Sequence, residues 1–203
     1  MPDIKATDIL IGPLKIFTAP LGTTLPVDTL AEDAAWPAGW VQLAYTKESL
    51  KMSYEMEALE VEVEEAYSAV HRRKTKETLK FETVLAEFTT QNLAYAFDGT
   101  HTADTAPGAS TEGLESFVAG GKRFFTERLW GFEGKLFSRD GATAVPVRLF
   151  VWRAVAETGG ELEFGKAQYS GIPLKMVALA DTSKALGQQL FRIARVLPQT
   201  NVV

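Results

Sequence analysis

The fold is decided by the stretch Leu50-Lys51-Met52-Ser53-Tyr54-Glu55-Met56-Glu57-Ala58-Leu59-Glu60-Val61-Glu62-Val63-Glu64-Glu65 and by His71-Arg72-Arg73-Lys74-Thr75-Lys76, which follows it. Leu50, Met52, Tyr54 and Met56 alternate with Lys51, Ser53 and Glu55, the period of a half-buried strand. The phase then slips, because Leu59, Val61 and Val63 are odd-numbered. A one-residue shift turns every side chain to the other face, so a bulge or bend is predicted near Glu57 and Ala58. Leu79, Phe81 and Leu85 mark the apolar face of the next strand, with Thr78, Lys80 and Glu82 opposite.

Charge is unevenly spread over this region. Six glutamates fall between Glu55 and Glu65, and five basic or titratable residues fall between His71 and Lys76. One reading is a solvated strand face, since Glu60, Glu62 and Glu64 alternate with Val61 and Val63. The other is an arm that meets a basic surface on a neighbouring copy of the chain. The candidate inter-subunit residues are then Glu57, Glu60, Glu62 and Glu64 on the acidic side and Arg72, Arg73 and Lys74 on the basic side. Exposed pairs contribute only about 0–1 kcal/mol each, so such charges set register more than strength. The basic run alone also fits a nucleic-acid patch, but the net charge is -5.

Working outward, Leu14, Ile16 and Thr18 share one face of a first strand. From Phe88 to Phe97 the period changes: Leu93 and Phe97 are four apart, Thr89 or Thr90 can cap a short helix, and Gly99 can end it. Thr100 to Gly113 has almost no large apolar residue and reads as a mobile surface loop. Strands are predicted at Arg128–Ser138, Val145–Arg153, Glu161–Ala167, Ile172–Ala180 and Gln189–Val196, with turns at Asp140-Gly141 and Gly159-Gly160. In Val145–Arg153 the residues Val145, Val147, Leu149 and Val151 form one face while Phe150 and Trp152 load the other, so that strand is covered on both sides. About eight strands and one short helix imply an antiparallel sandwich or barrel.

Composition excludes several chemistries. The 203 residues are enough for one sizeable core, with 46% hydrophobic and 23% charged residues. There is no cysteine, hence no disulfide framework and no thiolate zinc site. Met1 to Thr7 carry no apolar core of signal-peptide type. No run of about 18 apolar residues suggests a membrane span. His71 and His101 stand about thirty residues apart without metal-ligand spacing. Gly120-Gly121-Lys122-Arg123 lacks the hydroxyl residue that a phosphate loop requires after its lysine, and reads as a tight turn into a strand. No catalytic residue is nominated.

The order of segments carries a resemblance. Leu14-Lys15-Ile16-Phe17-Thr18 is followed by Ala19-Pro20-Leu21-Gly22-Thr23, Pro26-Val27-Asp28 and Gly39-Trp40-Val41-Gln42-Leu43-Ala44-Tyr45-Thr46. An acidic stretch, Arg72-Arg73-Lys74-Thr75, the strand Leu79–Ala86 and Asn92-Leu93-Ala94 come next. This order resembles the major tail tube protein of long-tailed, non-contractile bacteriophages and related tail-like particles, most strongly from Pro20 to Phe97.

The resemblance implies a mainly β fold: a split barrel or sandwich of two antiparallel sheets with one short flanking α-helix and a long inter-strand loop. It implies a single tail-tube domain over 1–203, with a projecting loop or hairpin at about 55–76 and a mobile surface loop at about 100–120. It further implies a structural virion protein that self-assembles into stacked hexameric rings, with DNA passing through the lumen unbound. Enzymatic activity and cofactors are not expected. The partners implied are other copies of the chain and tail terminator, tape-measure and distal tail proteins. The expected location is the virion tail or a tail-like particle, and the host cytoplasm during assembly. The alternatives are a small-molecule-binding β-barrel carrier, the tube protein of a contractile or secretion-type system, or an enzyme on a β scaffold. A carrier requires a closed monomeric barrel, and an enzyme requires convergent polar residues.

Overall fold

A computed structural model describes residues 14–137 apart from 32, 44, 63 and 66, then 144–159, 161–162 and 171–196. In chain order the elements are β1 (Lys15–Pro20), β2 (Val41–Gln42), β3 (Lys51–Val61), β4 (His71–Leu85), α1 (Thr90–Ala96), β5 (Thr100–Thr105), β6 (Leu114–Val118), β7 (Arg128–Phe137), β8 (Ala144–Ala156), β9 (Ile172–Ala178) and β10 (Phe191–Arg195). The main ladder runs β2-β1-β7-β8-β9-β4-β3, with β10 also on β8, and every pairing is antiparallel.

The sheet forks at β8. Val147–Val151 pair with β10, while Ala154–Ala156, further along the same edge, pair with β9. β7 occupies the opposite edge. The described residues are therefore mainly β and antiparallel, with a sheet that divides without closing and one short helix. The fork is filled by alternating side chains. Ile172, Leu174, Met176 and Ala178 on β9 meet Leu79, Phe81 and Leu85 on β4, Ile16 on β1, Trp130 and Phe132 on β7, and Val151 on β8. Phe81 and Phe132 stack at 5.1 Å between ring centroids. Each such side chain contributes about 1.5–3 kcal/mol when fully buried, several times the worth of an exposed ion pair.

A second layer covers the outer face of β1, β7 and β8. Trp36 stacks on Phe17 at 3.9 Å and touches Trp40 and Phe150. Gly131 makes room for it: a Cβ there would lie 2.5 Å from the Trp36 ring. The segment bearing Trp36 has no strand of its own before β2, and Arg148 anchors it. The guanidinium is buried, pairs with buried Glu133 at 2.6 Å, and donates to the carbonyls of Asp28, Leu30 and Ala31 at 2.9, 2.8 and 3.3 Å. Phe150 and Trp152 are buried on this face and Val151 on the other, so β8 is covered on both sides as its sequence requires.

The helix is capped by Thr89, whose hydroxyl accepts from the Asn92 amide at 3.1 Å. At its C-terminus the left-handed residue is Asp98 (φ 50°), and the Gly99 amide donates to Ala94 O at 2.9 Å. Gly99 serves a different need, because a Cβ there would lie 2.2 Å from the Phe117 ring on β6. The Asp98 carboxylate accepts from Lys122 Nζ and from the Thr126 amide, both at 3.1 Å.

Three expectations are corrected or fall elsewhere. Thr100–Gly113 is not a plain loop: Thr100–Thr105 pair with Leu114–Val118 as a separate two-stranded sheet. Only His101, Ser116 and Phe117 of it are partly covered, so backbone pairing without an apolar face leaves almost no period to read. Glu161 and Leu162 lie outside any strand, and the rest of the strand expected there, with Asp140, Gly141 and Gly160, is outside the described residues.

Candidate assembly surfaces

β4 has two halves. Leu79, Phe81, Thr83 and Leu85 are buried, whereas His71–Glu77 are exposed. All eleven residues of β3 are exposed. The outer halves of the two strands thus form a two-stranded ribbon that projects beyond the core. Its ladder shifts at Glu57/Ala58, where the apolar phase slips. Glu57 faces Lys76 and Ala58 faces Lys74, so the extra residue is Thr75 on β4. β3 itself runs unbroken, and its apolar residues change face.

The expected site residues divide into two sets. Glu57 pairs with Lys76 at 3.0 Å and Glu60 with Arg72 at 2.8 Å, both across the ribbon. Lys74 pairs with Glu77 at 2.6 Å across the bulge. Hydrogen bonding to the Glu77 carboxylate raises the Lys74 pKa, and the Lys74 ammonium lowers that of Glu77. Among the described residues, Glu62, Glu64 and Arg73 form no ion pair. The structure therefore brings four of the seven expected residues into contacts within one chain. It leaves the acidic tip and Arg73 facing solvent.

The apolar side chains of the ribbon were harder to anticipate. Met52, Tyr54 and Met56 have the spacing of a half-buried face, yet they are 41%, 40% and 55% exposed. Leu59, Val61, Tyr67 and Val70 are exposed as well. Tyr54 makes an edge contact with Phe191 at 6.2 Å. The alternation shows that the face is apolar and does not show whether this chain covers it. The outer edge of β3, at the end of the ladder, has no strand partner among the described residues.

No cluster of His, Asp and Glu able to hold a metal occurs among the described residues. His71 sits on the exposed ribbon, and His101 Nδ1 is 3.1 Å from the Thr90 hydroxyl. Lys122 is engaged with Asp98 and the Thr126 hydroxyl. No helix among the described residues is long and apolar enough to cross a membrane.

Residues 9–191 match the family model described as Phage tail tube protein. No curated protein matches the chain.

Proposed function

The chain belongs to the phage tail tube protein family, and from that premise we propose that its copies close into stacked hexameric rings forming the tube of a non-contractile tail. It is a structural tail protein. On this reading DNA passes through the lumen on ejection without specific binding, and the chain acts as one tube-building domain. Its partners are other copies of itself and the terminator, tape-measure and distal tail proteins. Assembly takes place in the host cytoplasm. No catalytic role and no cofactor are proposed.

The observation that supports this reading is the projecting ribbon. An eleven-residue edge strand with exposed Met52, Tyr54, Met56, Leu59 and Val61 is an aggregation liability in a monomer. Neighbouring copies that cover the edge and its apolar side chains on the two faces remove it. The net charge of -5 favours a surface along which DNA slides. The tube of a contractile or secretion-type system shares these features and is the second reading. A carrier is not supported, because the sheet is unclosed.

Negative-stain microscopy and light scattering of concentrated protein test the proposal. The expected result is rings or tubes whose abundance rises with concentration. A species that stays monomeric at every concentration overturns it.

A further inference from the structure

The loop between β6 and β7 displays Arg123, Phe124 and Phe125 to solvent. Phe124 is 81% exposed and Phe125 55%. The loop is not free to fold these rings away. It leaves β6 through Gly120 and Gly121, at φ 108° and 75°. It is then braced from both ends by Asp98, which accepts from Lys122 and from the Thr126 amide, while Lys122 also reaches the Thr126 hydroxyl at 3.2 Å. Between these anchors Arg123 forms no ion pair among the described residues; its guanidinium lies 6.0 Å from the Phe124 ring. Exposed aromatic rings beside an arginine, on a preorganised support, have the composition of an interface centre.

The complementary surface is elsewhere on the same chain. The ribbon tip carries Glu62, Glu64 and Glu65 with exposed Val61 and Tyr67, and none of these glutamates is ion-paired among the described residues. We propose that the acidic, apolar ribbon tip of one copy docks on the Arg123-Phe124-Phe125 loop of the next. This rests on the tail-tube reading and names the receiving surface within it. The basic cluster Arg72–Lys74 is a poorer receiver, because Arg72 and Lys74 already hold Glu60 and Glu77. Two different surfaces that fit each other make a head-to-tail contact, which closes into a ring when the rotation between copies allows.

Charge exchange tests the docking. Arg123→Glu alone, and Glu62→Arg with Glu64→Arg, should each raise the concentration needed for polymerisation about tenfold or more. The chain carrying all three changes should recover most of that loss. Phe124→Ser with Phe125→Ser should block polymerisation without altering the circular-dichroism spectrum or the melting curve of the subunit. The proposal is overturned if Arg123→Glu polymerises like the wild type, or if the three changes together do no better than either set. It is also overturned if the serine variant, folded, still polymerises normally. Failure of the wild type to form rings or tubes overturns the tail-tube reading, and this contact with it. Normal tubes from every variant remove only this contact.

Discussion

Arg148 is a charge buried to fix a segment that has no ladder of its own. Burying it with Glu133 is costly, and the pair is tolerable only because the guanidinium also satisfies the carbonyls of Asp28, Leu30 and Ala31. Arg148→Ala should therefore destabilise the subunit by about 3–5 kcal/mol, since it leaves Glu133 buried without its partner. Denaturant unfolding measures this, and Trp36 emission should shift as the covering segment loosens; a loss below about 1 kcal/mol would contradict it. Asp98 is the second informative residue. Burial alone would raise its pKa, but hydrogen bonds from Thr126 and Lys122 outweigh that and hold it below the ordinary 3.8. Its contribution is thus complete above about pH 4 and is lost as pH falls through the lowered folded value. Asp98→Asn keeps a side chain that tolerates the left-handed backbone. It should cost roughly 1 kcal/mol at pH 7 and progressively less below pH 3.8, as paired urea titrations at the two pH values would show.

Among the elements, β4 joins the core to the projecting arm. Its inner half is packed on β9, where Lys80–Leu85 pair with Ile172–Val177. Its outer half is paired only with β3, and two-stranded ribbons are marginal by themselves. In the free subunit, amide exchange should be fast from Glu57 to Thr75 and slow from Leu79 to Leu85, because local opening of the ribbon costs little buried area. Equal protection of the two halves would refute this. The same geometry bears on Arg72→Glu, Arg73→Glu and Lys74→Glu made together. These changes place like charges opposite Glu60 and beside Glu77, so repulsion inside the ribbon adds to any repulsion between copies. Polymerisation should fail while the core melting transition is kept. A triple variant that still forms tubes would show that the ribbon charges are incidental.

At the scale of the whole molecule, the core and the arm are separable. The buried cluster is built from β1, β4, β7, β8, β9 and α1, and no residue of β3 belongs to it. Replacing residues 62–70 by a short Asn-Gly turn should therefore leave the melting temperature nearly unchanged and abolish ring formation. Scanning calorimetry and electron microscopy on one preparation read both outcomes. A large fall in melting temperature would mean that the arm also stabilises the subunit. The sheet is unclosed and leaves the long edge strand β3 exposed.

The sequence determined β1, β3, the Leu79–Leu85 half of β4, β8 and the helix through their apolar periods of two or near four, and it placed strands where β7, β9 and β10 lie. The phase slip at Glu57 and Ala58 marks the place where the ladder shifts, but it predicts the bulge on β3, whereas the extra residue is Thr75 on β4. Only the tertiary structure decided the rest. The β5–β6 hairpin is anchored by a few side chains, Phe117 on the core and Glu115 and His101 on Thr90, which give its strands no apolar period to read. The pairing of Glu57 with Lys76, Glu60 with Arg72 and Lys74 with Glu77 depends on register and on Thr75 being the extra residue. Composition fixes that opposite charges are present but not which of them meet. That Met52, Tyr54 and Met56 lie open was likewise invisible, because alternation reports that a face is apolar, and only the positions of the other strands decide whether this chain covers it.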